Sequence, residues 1–166
     1  MEKIVIIGCG GSGKSTLARK LGDKLSLPVV HLDRIWWRPG WVSIPREEFD
    51  RLLAAELAKP QWIIDGNFNR TIPQRLAACD TVIYLDYNRF VCLWGMLHRV
   101  LTGRNKTRPD ITEGCPERLN WEFISFIWNY NKTCRKNNLT LLSQLENVKV
   151  HIFRNRRQTA RFLKNL

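Results

Sequence analysis

The chain has 166 residues and a mass of 19.5 kDa, enough for one domain with its own core. Its 44% hydrophobic and 25% charged residues are those of an ordinary soluble globular protein, and the longest apolar stretch, Phe90 to Leu97, is too short to span a bilayer. A formal charge of +12 leaves two partner classes open: a nucleic-acid backbone, or a small polyphosphate that needs converging cations.

Met1-Glu2-Lys3-Ile4 runs directly into a strand-like segment, so no signal peptide and a cytoplasmic location are expected. Lys3 to Ile7 is an apolar, β-branched run that ends in a glycine loop, and Lys14 to Leu25 follows as a helix with Leu17, Leu21 and Leu25 on one face. Val29 to Leu32 reads as a second strand and Pro45 to Lys59 as an amphipathic helix. Trp62 to Ile64 is a third strand ending at Asp65-Gly66, and Thr81 to Leu85 a fourth ending at Asp86. Arg89 to Leu101 is helical, residues 102–115 read as a loop, and Pro116 restarts a helix that carries Trp121, Phe123, Trp128 and Tyr130. Apolar groups surround that helix, which predicts burial on more than one side or a partner. Val148 to Phe153 is the fifth strand, followed by a basic helix from Arg156. Strands alternating with helices predict an α/β fold with a parallel sheet. The five cysteines are scattered without a paired motif, and His31, His98 and His151 stand apart from one another, so structural roles are expected for them.

The chemistry is concentrated in Gly8-Cys9-Gly10-Gly11-Ser12-Gly13-Lys14-Ser15, which fits G-x-x-x-x-G-K-[ST] at every fixed position, with Thr16 beside it. Glycines let successive backbone N–H groups turn toward an anion, and the next helix adds its positive N-terminal end. The expected ligand is ATP with magnesium: Lys14 reaches the β- and γ-phosphates and the Ser15 hydroxyl ligates the metal. Cys9 occupies a variable position of the motif.

In a parallel sheet, residues at the C-terminal strand ends converge on the ligand crevice. Asp65 fits a metal-water ligand, and Asp33 fits an acceptor-side role, binding a hydroxyl or taking its proton. Asp86 reads equally as a catalytic acid or as a helix cap before Arg89. Arg104, Lys106, Arg108 and Arg118 fall in one loop, which is either a lid that brings charge to the transferring group or a solvated charged loop. Arg154 and Arg156 follow the fifth strand, at the distance of a nucleotide base or at a plain helix start.

These segments resemble the adenylate-kinase-like branch of P-loop kinases, and more closely the small bacterial DNA topology modulation proteins related to FlaR. The resemblance is carried by the P-loop, by Pro28-Val-Val-His-Leu-Asp33 with Trp36-Trp37-Arg38-Pro39-Gly40-Trp41, and by Trp62-Ile-Ile-Asp-Gly-Asn-Phe68. Asp80-Thr-Val-Ile-Tyr-Leu-Asp86, Glu113-Gly-Cys-Pro-Glu-Arg118 and Ile127-Trp-Asn-Tyr130 carry the rest. It implies a three-layer P-loop NTPase fold with five parallel strands in the order 2-3-1-4-5, an acceptor-side insertion at 33–59 and a lid at 103–118. It also implies an Asp65-Gly66 that positions magnesium through water. Asn67 to Gln74 is similar to the segment that contacts an acceptor nucleotide, with one residue more before Arg70. The tryptophans at 36, 37 and 41 differ from the kinase pattern and imply a different small-molecule acceptor. No motif assembles a strand-cleaving tyrosine, and Tyr84, Tyr87 and Tyr130 have structural homes. Two functions therefore stand: a small-molecule or nucleotide kinase, or an ATP-binding regulator associated with nucleic acid.

Overall fold

The computed structural model of the chain describes residues 1–103, 110–116 and 119–166. Its centre is β1 (Lys3–Gly8), in which Ile4 to Ile7 are wholly buried. A strand covered on both faces must be apolar at every position rather than at alternate ones. Successive side chains still point opposite ways, and they divide the core in two. Ile4 and Ile6 pack with Leu17, Leu21 and Ile83 on one side, whereas Val5 and Ile7 pack with Phe49, Leu53 and Val82 on the other. The result is a three-layer α/β/α arrangement.

Five parallel strands form the sheet: β1, β2 (Val29–His31), β5 (Trp62–Asp65), β6 (Thr81–Leu85) and β7 (Lys149–Phe153), in the order β2-β5-β1-β6-β7. Counted among these strands alone, that is the expected 2-3-1-4-5. The helices are α1 (Lys14–Leu25), α3 (Arg46–Leu57), α4 (Ile72–Ala78), α5 (Arg89–Thr102), α6 (Trp121–Tyr130), α7 (Lys136–Ser143) and α8 (Arg156–Asn165). A π-helical segment, Asn131–Arg135, joins α6 to α7.

Several boundaries differ from the sequence reading. The second strand stops at His31, and Leu32 and Asp33 open a short helix, α2 (Leu32–Trp36). A two-strand hairpin follows, β3 (Trp37–Arg38) with β4 (Val42–Ser43), held by pairing and by edge-on Trp37–Trp41 packing. The helix expected from Pro116 begins at Trp121, because the Asn120 side chain accepts the Glu122 N–H and caps it there. That helix buries Ile127 and Tyr130 but leaves Trp121 76% and Trp128 47% exposed, so its apolar groups are not all taken into the core. Among the described residues no helix is long and apolar enough to cross a membrane.

Candidate functional site

β1 delivers the chain to the C-terminal edge of the sheet at Gly8, and α1 leaves it at Lys14, so residues 9–13 must turn within a few ångströms. Ser12 N–H closes that turn on the Cys9 carbonyl at 3.3 Å. Gly13 caps α1 at φ +94°, a left-handed conformation that favours glycine, and its carbonyl accepts the Leu17 N–H. The loop is also pressed from above. A Cβ on Gly10 would stand 2.5 Å from the Phe123 ring of α6. One on Gly95 of α5 would stand 2.2 Å from the Gly11 carbonyl oxygen. The glycines of this loop thus serve packing as well as turning, which the motif alone did not reveal.

Lys14 Nζ donates to the carbonyls of Gly8 and Cys9, both at 2.9 Å. Burial pulls its ammonium below the ordinary lysine range, while Asp65, Cys9 and Asp33 pull it back. A cation held under such conditions gains from any anion that arrives. Ser15 Oγ donates to Asp65 Oδ2 at 2.7 Å, and the other carboxylate oxygen meets His31 Nδ1 at 2.5 Å. Asp65 is 3% exposed and His31 8%. The two are register partners on adjacent strands, so sheet pairing itself brings them together. A hydroxyl beside a carboxylate is a hard oxygen set of the kind magnesium takes, and the residues present fit that ion. The buried Ser12 hydroxyl has no partner among the described residues, a further polar group turned into the phosphate loop.

The remaining candidates separate. Asp33, in the first turn of α2, lies within electrostatic reach of Lys14. Cys9 is buried beside Cys92, and that contact and burial push its thiol up, so it stays protonated. Thr16 is exposed on α1. Arg156 reaches the Gly11–Gly95 contact, with Nη2 at 3.2 Å from the Cβ position of Gly95, whereas Arg154 is exposed and its N–H is bound by Gln158. Asp86 is not the helix cap. Asn88 caps α5, and Asp86 accepts two hydrogen bonds from Arg135, at 2.6 and 2.8 Å. Arg104, Lys106, Arg108 and Arg118 lie outside the described residues. Residues 110–116 of the same loop dock on the β3–β4 hairpin. Thr112 Oγ1 donates to the Trp37 carbonyl, Gly40 N–H to that of Gly114, and Trp41 Nε1 to that of Pro116. The phenols of Tyr84, Tyr87 and Tyr130 are buried and pushed up by burial, as structural tyrosines are.

Two residues of the site went unread. The sequence reading gives His31 a structural role, although the expected strand order sets strand two beside strand three and so its end beside Asp65. Arg75 was passed over entirely. Its guanidinium is wholly buried and donates to the carbonyls of Gly66 (2.9 Å), Asn67 (2.6 Å), Phe68 (3.3 Å) and Thr71 (3.4 Å). Burial pulls it down to about 10, against the pull of Asp65. Arg75 thereby fixes the loop after Asp65, and Asn67 Oδ1 of that loop accepts the Gly8 N–H at 3.2 Å. Arg70, by contrast, faces solvent and pairs with Asp50.

No family model matches the sequence, and no curated protein matches it. Solved structures share its fold. Shikimate kinase from Bacteroides thetaiotaomicron superposes with a TM-score of 0.56 at 18% identity, over 98% of this chain and 94% of that one. Shikimate kinase from Acinetobacter baumannii, in complex with shikimate, gives 0.61 at 15% identity, over 99% and 90%. The fold is the one these two structures have.

Proposed function

We propose that the protein is an ATP- and magnesium-dependent kinase that transfers the γ-phosphoryl group to a small molecule. The observation that carries this reading is the Ser15–Asp65 hydrogen bond of 2.7 Å directly beneath the phosphate loop, with Asp65 steadied by His31. That pair would hold magnesium, which when bound spreads the negative charge of the β- and γ-phosphates. The loop from Gly8 to Thr16 binds the phosphates through its inward-facing amides, and Lys14 leaves its two carbonyl partners for them. Asp33 orients the acceptor hydroxyl and takes its proton. In this reading residues 33–59 serve the acceptor, and 103–118 form a lid whose Arg104, Arg108 and Arg118 bring charge to the transfer. Arg156, at the P-loop, and Arg154 serve the nucleotide base.

The likeness to structures of shikimate kinase supports a small-molecule acceptor, and a cytoplasmic location belongs to the same reading. Kinship with the DNA topology modulation proteins belongs to the same reading, any effect on DNA being indirect, through nucleotide pools or regulation. The net charge of +12 is common to this reading and to nucleic-acid association and does not choose between them. The test is ADP formation from ATP and Mg²⁺ across a screen of nucleosides, nucleotides, sugars and small acids, for the wild type and Lys14→Ala. Acceptor-dependent turnover that disappears in Lys14→Ala is expected, and a screen without any phosphate transfer overturns the reading.

A further inference from the structure

Beyond the phosphate loop the acceptor side holds a hollow of about 100 Å³. Its apolar wall is Trp36, Phe49 and Phe68, and its polar rim includes Arg46, Asn69 and Arg70. Phe49 and Phe68 stack with centroids 4.9 Å apart, and Trp36 stands edge-on to both, at 5.3 and 5.8 Å. The wall continues from the acids of the site. Trp36 is one helical turn after Asp33, on the same face of α2, and Phe68 is three residues after Asp65.

Phe68 is held in a costly conformation. Its φ of +28° lies in a region foreign to an aromatic residue. The cost is sustained because its carbonyl accepts from Thr71 N–H (2.9 Å), Thr71 Oγ1 (3.0 Å) and Arg75 Nη2 (3.3 Å). Strain over-determined in this way collects where a side chain must be presented to a ligand. The lining carries two guanidiniums and no carboxylate: from outside it Asp50 holds Arg70 with both oxygens and lies within electrostatic reach of Arg46, and Glu47 lies within reach of Arg70. Guanidiniums bind anionic groups bidentately and also lie flat on rings. A hollow of this volume takes one ring; drug-sized ligands need roughly 300 Å³ or more.

We propose that this hollow seats the acceptor, and that the acceptor is a small hydroxylated aromatic or heteroaromatic acid. Its ring lies against Trp36 and Phe68, and its anionic group lies on Arg46, Arg70 being held by Asp50. The assignment rests on the kinase reading for the fate of the hydroxyl, but the seat itself is tested by binding alone.

The probes are para-hydroxybenzoate and para-hydroxyphenylacetate, the neutral para-hydroxyphenylacetamide, AMP and inositol. Binding to the full chain is read by calorimetry and saturation-transfer NMR. The acids are expected to bind about tenfold more tightly than the amide, the size of one charge-assisted contact. Arg46→Ala, an exposed substitution, removes that advantage and leaves the amide unchanged, and Phe68→Ala weakens acid and amide together. Equal binding of acid and amide, an Arg46→Ala variant that still prefers the acids, or binding of AMP or inositol alone overturns the seat. Acid binding without phosphate transfer to any acceptor overturns the kinase reading and leaves the seat. ADP formation with inositol or AMP while the acids do not bind does the reverse.

Discussion

A buried guanidinium without a carboxylate in its grasp is rare, and Arg75 shows what replaces one: four carbonyl oxygens of the loop that follows Asp65. Arg75→Met keeps much of the volume but removes the guanidinium donors from those carbonyls, that of Phe68 keeping its bonds from Thr71. At roughly 1–3 kcal/mol for an orphaned buried group, partly relieved by water, a loss of about 3 kcal/mol is expected in urea unfolding. Arg75→Lys restores charge but not the fork, so it recovers little. Asp80 carries a different kind of stability. Burial would raise its carboxyl, but the Thr81 hydroxyl and the N–H groups of Glu2 and Lys3 outweigh this and hold it below 3.8. Its folded value is the depressed one, so its contribution is complete above about pH 4 and is lost as pH falls through the folded value. The melting temperatures of wild type and Asp80→Asn, apart at pH 7, should converge as pH falls through that folded value. The meeting of Lys14, Ser15 and Asp65 was legible in the sequence because it follows from a local motif and a strand end. Arg75 left a signal as well, sharing the spacing of Ile72, Leu76 and Cys79, which is a buried helix face; an arginine there had to be answered by backbone. The Asp86–Arg135 pair left none, since nothing local links residues 49 apart.

Elements meet the phosphate loop through glycine. In Gly95→Ala the gain in helix propensity is about 1 kcal/mol, yet the new methyl would stand 2.2 Å from the Gly11 oxygen. Overpacking of that kind costs about 1–3 kcal/mol, so the clash prevails or α5 moves. The expected outcome is a lower melting temperature together with weaker ATP binding by calorimetry; a stabilised variant with unchanged affinity would refute the contact. Strands and long helices were readable because burial and periodicity are written into them. The β3–β4 hairpin was not, because two-residue strands have no periodicity and this pair is closed by tertiary contacts with residues 110–116. The same holds for Phe123, whose place on Gly10 depends on how α6 packs rather than on its own neighbours.

At the scale of the whole molecule, a ligand that binds only the folded chain stabilises it by mass action. ATP with Mg²⁺ at about one hundred times its dissociation constant should add about 2.7 kcal/mol, or a rise of roughly 5–10 °C in melting temperature for a domain of this size. Lys14→Ala and Asp65→Asn should lose most of that rise, by differential scanning fluorimetry. The strand order was legible through a family pattern, and the sheet bears it out. The proposed acceptor side was legible as Asp33, the tryptophans at 36, 37 and 41 and the segment 67–74, but not as a hollow, because ring geometry and the strain at Phe68 arise only on folding.

The hydrogen bond from Gly8 N–H to Asn67 Oδ1 ties the first residue of the phosphate loop to the neighbour of Phe68. Whatever settles on the aromatic wall and whatever settles on the phosphate amides therefore bias one shared loop. Thermodynamic reciprocity then fixes the outcome: the factor by which the nucleotide tightens the acceptor must equal the factor by which the acceptor tightens the nucleotide.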